Sequence, residues 1–272
     1  MSTLAAPVQA RLLRELDRRH LKVWRPAQDP ISGFSSAQQR EAAHRLAKAG
    51  TLERLERGAY LVVPRSGARL TPPIEVVGSW FANEPHALIG AAAAEFHGLT
   101  NDTPSTIDIQ LARVKREEIE FQLKRYRFVR SSLVSVTTDN VVVRSASVST
   151  SVASPAKLLV LLLNQHRRGS GTVRDARLAM EVVQRGAVLD LWRTVAWDRI
   201  VRRHGTAATA RRLGYLLERH DIPGAEKLLR LRGAAGYTPF SAVHPAQGPL
   251  STRWRLRLND PVIIGVDAHS NS

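Results

Sequence analysis

The stretch from Ser36 to Val63 limits this chain more than any other, because a helix that is basic on one side runs directly into two β-capable segments joined at a glycine. Ser36 to Ala49 has helical spacing. With Leu46 at the centre of the buried face, 100° per residue sets Gln39, Ala42, Ala43 and Ala49 inside and Ala37, Arg40, His44 and Lys48 outside, with Glu41 and Arg45 at the edge. Ser36 followed by Gln39 fits a capping box, and Gly50 fits a C-terminal cap. Small residues inside allow close packing, and a slim rod with Arg, His and Lys outside suits a major groove ~12 Å wide.

In Thr51-Leu-Glu-Arg-Leu-Glu-Arg-Gly58-Ala-Tyr-Leu-Val-Val63, Gly58 supplies the positive φ of a tight turn, with Arg54 and Arg57 near the tip. Upstream, Leu4 to Arg19 reads as a helix with Leu12, Leu13 and Leu16 on one face and Arg11, Arg14, Arg18 and Arg19 largely on the other. Leu21 to Trp24 alternates like a short strand, and Pro30 and Gly33 punctuate the stretch after Pro26. Helix, helix, hairpin is the order of a winged helix-turn-helix. On that reading Ser36, Ala37, Gln38, Arg40, His44 and Lys48 read or flank base edges, while Arg45, Arg54 and Arg57 mainly hold phosphate.

Charge agrees with a polyanionic partner. The 272 residues carry 40 Lys plus Arg against 24 Asp plus Glu, a net charge of +16, and the sequence pI is near 11.3. The first 70 residues hold 13 basic and 6 acidic residues, the highest charge density in the chain. Cations on one surface gain affinity for nucleic acid by displacing condensed counterions. A GC-rich coding sequence gives the same Arg bias, so charge alone does not choose. The chain has no Cys, which excludes disulfides, thiolate metal sites and a Cys nucleophile. The apolar run Leu158 to Leu163 is far short of a membrane span, and Met1 to Pro7 lacks the pattern of a signal peptide. A soluble, cytoplasmic protein with no membrane partner is expected.

Pro64, Gly67, Pro72 and Pro73 interrupt regular structure and place a domain boundary near residue 68, giving segments 1–68 and 69–272. The second reads as a larger mixed domain, so the fold class is α+β. Pro73 to Phe81 and Ala87 to His97 are predicted helices. Thr106 to Leu111 and Leu123 to Val129 are predicted strands, and Ser131 to Val148 holds two further β-rich runs. Ser154-Pro155 is a helix start continued through Lys157 to Gln165. Helices are then expected over Val173 to Arg185, Leu189 to His204, Ala207 to His220 and Ala225 to Arg232. Trp254 to Leu258 and Val262 to Val266 are expected to form a terminal hairpin.

Four stretches carry a family resemblance: Gly50 to Tyr60, Ile89-Gly-Ala-Ala-Ala-Ala-Glu-Phe-His-Gly-Leu99, Val152-Ala-Ser-Pro-Ala-Lys-Leu159 and Arg211-Arg-Leu-Gly-Tyr-Leu-Leu217. In order and spacing they resemble the AbiEi family, antitoxins of type IV toxin–antitoxin systems. The resemblance implies an N-terminal winged helix that binds operator inverted repeats in double-stranded DNA and represses its own operon. It also implies a C-terminal domain that neutralises a cognate nucleotidyltransferase toxin.

Enzymatic readings fare worse. Gly169-Ser-Gly-Thr-Val-Arg-Asp175 imitates the start of a nucleotidyltransferase site but lacks the paired carboxylates that hold two metal ions. A restriction-type nuclease has Asp108 for a metal ligand, but Gln122 stands where a second carboxylate belongs, before Lys124. No His pair has HxH or HxxxH spacing, His97 reads as a satisfied helix-end residue, and no phosphate-binding Gly-rich loop is present. No enzyme, metal or cofactor is expected. The alternatives are a stand-alone transcriptional regulator with a ligand- or partner-sensing C-terminal domain, and a metal-dependent nuclease. The alternating strand Lys124 to Arg130 fits either a nucleic-acid track or a charged, half-buried edge strand.

Overall fold

The computed structural model describes residues 6–63, 71–114, 116–145, 148–164, 173–234 and 236–265. The chain forms a mixed α+β structure in two compact units. One gathers residues 1–88, 105–131 and 142–151, and the other residues 89–104, 132–141 and 152–272. The expected boundary near residue 68 lies outside the described residues.

In the first unit, α1 (Ala6–Arg18) is followed by the two-residue strand β1 (Val23–Trp24), α2 (Ser36–Lys48), and the hairpin β2 (Leu52–Glu56) and β3 (Ala59–Val62). The three strands pair in the order β1-β3-β2, with Val23 opposite Leu61 and Leu52 opposite Val62. Their core is Leu12, Leu16, Trp24, Ile31, Ala42, Ala43, Leu46 and Leu52, so α1 and α2 each contribute one apolar stripe. The segment between β1 and α2 turns first at residues 26–28, where the Gln28 and Asp29 N–H groups donate to the Arg25 carbonyl, and again at residues 32–33. Pro26 and Pro30 bracket the first turn, and the Trp24 indole donates to the Asp29 carbonyl beneath it.

A six-stranded sheet follows α3 (Pro73–Trp80). Its strands are β4 (His86–Ile89), β5 (Thr106–Leu111), β6 (Glu118–Phe121), β7 (Lys124–Arg130), β8 (Asn140–Ser145) and β9 (Val148–Ala153), ordered β6-β7-β5-β4-β9-β8. β5 and β7 run parallel, and β6 closes on β7 as an antiparallel edge. The helix expected over Ala87 to His97 is instead β4 followed by α4 (Gly90–Phe96). All four β4 residues are buried, as a central strand requires, and Gly90 turns the chain at φ +63°. Between β7 and β8 the β-rich stretch also contains the short α5 (Leu133–Thr137), capped by the Ser132 hydroxyl.

The second unit holds α6 (Pro155–Leu163), α7 (Val173–Val188), α8 (Trp197–His204), α9 (Ala207–Arg219) and α10 (Ala225–Leu228). Ser154 caps α6 with Pro155 at its first position, as its sequence predicts. The long helix expected over Leu189 to His204 is reduced to α8, because Asp190 turns left-handed at φ +54° and Trp192 folds back onto α7. Its indole donates to the Val183 carbonyl and leaves no room for a side chain at Gly186.

Three two-residue strands, β10 (Thr238–Pro239), β11 (Leu250–Ser251) and β12 (Leu256–Arg257), form the last sheet with β12 central. The strand expected over Val262 to Val266 is instead a helix, α11 (Pro261–Gly265). The buried Asp260 carboxylate accepts from the Val262 N–H, and Pro261 takes the first helical position. α9 organises this end: Arg211 donates to the Arg232 and Gly236 carbonyls and the Thr238 hydroxyl, and Arg212 to the Leu163 and Pro239 carbonyls.

Candidate nucleic-acid interface

α2 is capped one residue earlier than its sequence predicts. Ser35 is the N-cap: its hydroxyl accepts from the Gln38 N–H at 3.2 Å, and the Gln38 side chain accepts from the Ser35 N–H at 2.8 Å. Ser36 and Gln39 therefore do not form the capping box. Gln39 is unable to cap because it is buried, with its amide bonded to the backbone of Ile31 and Phe34. The inner face is Gln39, Ala42, Ala43 and Leu46. Ala49, expected inside, is exposed as the C-cap residue, where the helix has already ended.

The remaining face is open. Ser36, Ala37, Gln38, Arg40, His44 and Lys48 are all exposed, and Arg40, His44 and Lys48 follow one another at i, i+4 and i+8 along one row. None of those three makes an ion pair with a described residue; the Arg40 Nε donates to the Ser36 carbonyl one turn back. Arg45 is held differently, by the Glu41 carboxylate at 2.7 Å. The row is thus the cationic edge of the helix.

The β2–β3 hairpin turns at Arg57-Gly58, with Gly58 at φ +78° and a bulge between Arg54 and Glu56. Arg54 and Arg57 are exposed and pair with no described carboxylate. The two glutamates of the same strand behave in the opposite way. Glu53 accepts from the backbone N–H of Gln122, and burial raises its pKa. Glu56 accepts from the Trp80 indole at 3.0 Å and from Arg116 at 3.3 Å. The alternation Leu-Glu-Arg-Leu-Glu-Arg thus sorts anions towards the protein and cations towards solvent, a division the sequence displays only as a repeat.

Two cations of the basic strand β7 are paired with carboxylates. Arg125 pairs with Glu120 at 2.8 Å, and Arg127 grips Asp108 through two nitrogens at 2.6 and 2.9 Å. Asp108 therefore answers a guanidinium across the β5–β7 pair. Among the described residues, no group of three His, Asp or Glu side chains is arranged to hold a metal ion. Gly169 to Thr172 lies outside the described residues. No described helix is long and apolar enough to cross a membrane.

The second unit contains a buried polar cluster that sequence reading missed. The Lys157 ammonium, with no exposed surface, donates to the Ser135 and Thr138 carbonyls and the Asn140 side chain, and burial pulls its pKa down to about 8. His204 lies between the Ser135 hydroxyl at 3.0 Å and the Asp139 carboxylate at 2.8 Å, and burial lowers its pKa. Arg203 reaches the same carboxylate at 2.7 Å. Lys157 belongs to the Ser-Pro-Ala-Lys motif, so that motif combines a helix cap with an internal cation. His97 ends α4 with its ring nitrogen 2.8 Å from the Ala153 carbonyl.

No family model and no curated protein matches the chain. Among solved structures it is similar to the crystal structure of the RV2827C protein from Mycobacterium tuberculosis, with a TM-score of 0.63 and 17% identity over 96% of this chain and 95% of that one. The two share a fold along nearly their whole lengths.

Proposed function

We propose that this chain is a DNA-binding regulator whose first unit reads duplex DNA as a winged helix-turn-helix. In this reading α2 lies in the major groove and the β2–β3 hairpin is a wing on the flanking phosphates. The observation that carries the reading is the open row Arg40, His44 and Lys48 on a helix whose opposite face is sealed into an alanine- and leucine-rich core. Buried small residues allow the helix to sit close to its sheet, and three side chains free of described carboxylates face solvent in one row. Arg54 and Arg57 on the adjoining hairpin supply sequence-independent affinity.

Taken with the resemblance of its motifs to AbiEi antitoxins, the proposal extends to a non-enzymatic antitoxin that represses its own operon and neutralises a nucleotidyltransferase toxin. Mobility-shift titrations on the chain's own upstream DNA and on a shuffled duplex test the first half. Binding should favour the upstream sequence and weaken steeply with salt; equal affinity for both would remove sequence reading. Co-expression with an adjacent nucleotidyltransferase gene tests the second, and failure to restore growth would remove the antitoxin role.

A further inference from the structure

We propose that Glu56 is a positioning residue for phosphate binding, a latch that fixes the hairpin so that Arg54 and Arg57 meet the DNA backbone together. The inference rests on reading β2–β3 as a DNA-binding wing. β1 supports the hairpin only on the β3 side and only through Val23 and Trp24, which leaves the bulged β2 as an edge; two arginines at a mobile tip lose much of their binding to the entropy of being ordered. Here the hairpin is tied down on one side. Glu56 takes the Trp80 indole N–H on Oε1 at 3.0 Å and the Arg116 guanidinium on Oε2 at 3.3 Å. Arg25 approaches Oε1 at 3.8 Å and donates to the Ser79 and Trp80 carbonyls at the end of α3.

The far end of this latch is rigid. Trp80 is 4% exposed and touches Phe81, Phe121, Tyr126 and Phe128, with ring centroids between 5.1 and 6.3 Å away. Arg25 lies at the turn that leads towards α2, so one carboxylate gathers the approach to the helix and the tip of the hairpin onto the same aromatic block. Glu53 makes a second tie through the Gln122 N–H. An acidic residue one position from Arg57 is otherwise unfavourable beside phosphate.

That opposition gives the test its sign. If Glu56 acted only through its charge, Glu56→Ala would remove an anion near the DNA and tighten binding. As a latch, its removal weakens binding roughly three- to tenfold and lowers the salt slope by about 0.9 for each phosphate that the arginines no longer neutralise. Trp80→Phe, which keeps an aromatic ring and the carboxylate but deletes the N–H, should weaken binding in the same direction. Double variants separate positioning from general loss of fold: Arg57→Ala should cost little further in the Glu56→Ala chain, whereas Lys48→Ala should cost as much as in the parent. Thermal unfolding verifies that each variant is folded, and Glu56→Gln replaces Glu56→Ala if the latter is not. Unchanged or tighter binding by the Glu56 variant, or full additivity with Arg57→Ala, overturns the latch. Absence of duplex binding by the parent chain at low salt overturns the wing reading and the latch with it.

Discussion

The side chain of Gln39 and the backbone of Ile31 hold each other through two hydrogen bonds, with Oε1 accepting from the Ile31 N–H at 3.0 Å and Nε2 donating to the Ile31 carbonyl at 3.3 Å. The same amide nitrogen reaches the Phe34 carbonyl at 3.0 Å. A segment broken by prolines thereby receives from one side chain the partners that a helix would have provided. Gln39→Leu leaves buried backbone groups unpaired and should destabilise the protein by about 2–3 kcal/mol. Urea unfolding measures this; a change below about 0.5 kcal/mol would show that the amide is dispensable.

Arg40 and Arg54 are expected to separate by effect. Arg40→Ala should narrow the gap between operator and shuffled DNA by about 1–3 kcal/mol, while Arg54→Ala should weaken both duplexes alike and reduce the salt slope by about one unit. Mobility shifts at several salt concentrations decide between them. Identical behaviour of the two variants would contradict the division into reading helix and phosphate-holding hairpin.

Gly214 on α9 lies against Trp254, and an added Cβ would fall 2.0 Å from the indole. The ring is buried, so it has no solvent to retreat into. Gly214→Ala should therefore cost about 1–3 kcal/mol or more, despite the better helix propensity of alanine. Gly50→Ala makes a useful comparison: a Cβ there meets nothing within 4 Å, so its penalty comes from the positive φ of +70° alone. Calorimetry on both variants tests the ranking.

Acid should destabilise the fold before most carboxylates protonate. His86, His97, His204 and His220 all have pKa values lowered by burial. The unfolded chain binds protons at these positions from about pH 6.5 downwards, while the folded chain resists until lower pH. Stability is thus full above that value and declines as pH falls through about 6.5 towards the depressed folded values, by up to about 1.4 kcal/mol per pH unit per histidine. Unfolding free energies between about pH 7.5 and 5 should follow that slope, and His204→Gln should flatten it. A flat profile would mean that these rings take up protons equally in the folded and unfolded chain.

Local signals were legible where one interaction dominates. Ser154-Pro155 starts α6, and the alternation of Thr106 to Leu111 forms β5, because a cap or a period-two pattern is decided within a few residues. Ala87 to Ile89 misled because a fully buried strand and an apolar helix look alike in composition, and only the neighbouring strands settle which is formed. At the candidate interface, the outward row on α2 was readable from angle alone. Glu53 and Glu56 were not, since their partners Gln122, Trp80 and Arg116 lie at least 24 residues away along the chain. Lys157 was hidden for the same reason: a lysine in an apolar helix shows its carbonyl partners only after α5 has folded beside it.

The chain passes between its two units five times, after residues 88, 104, 131, 141 and 151. During synthesis the first unit therefore stays incomplete until residue 151 has emerged, well after its own helices and hairpin have been made. A fragment cut at the proline-rich stretch would carry every residue expected to touch DNA and lack Trp80 and Arg116, the partners that hold Glu56. Isolating the proposed DNA-binding head by truncation should thus yield a looser binder than the intact chain, with its arginines present but unaimed.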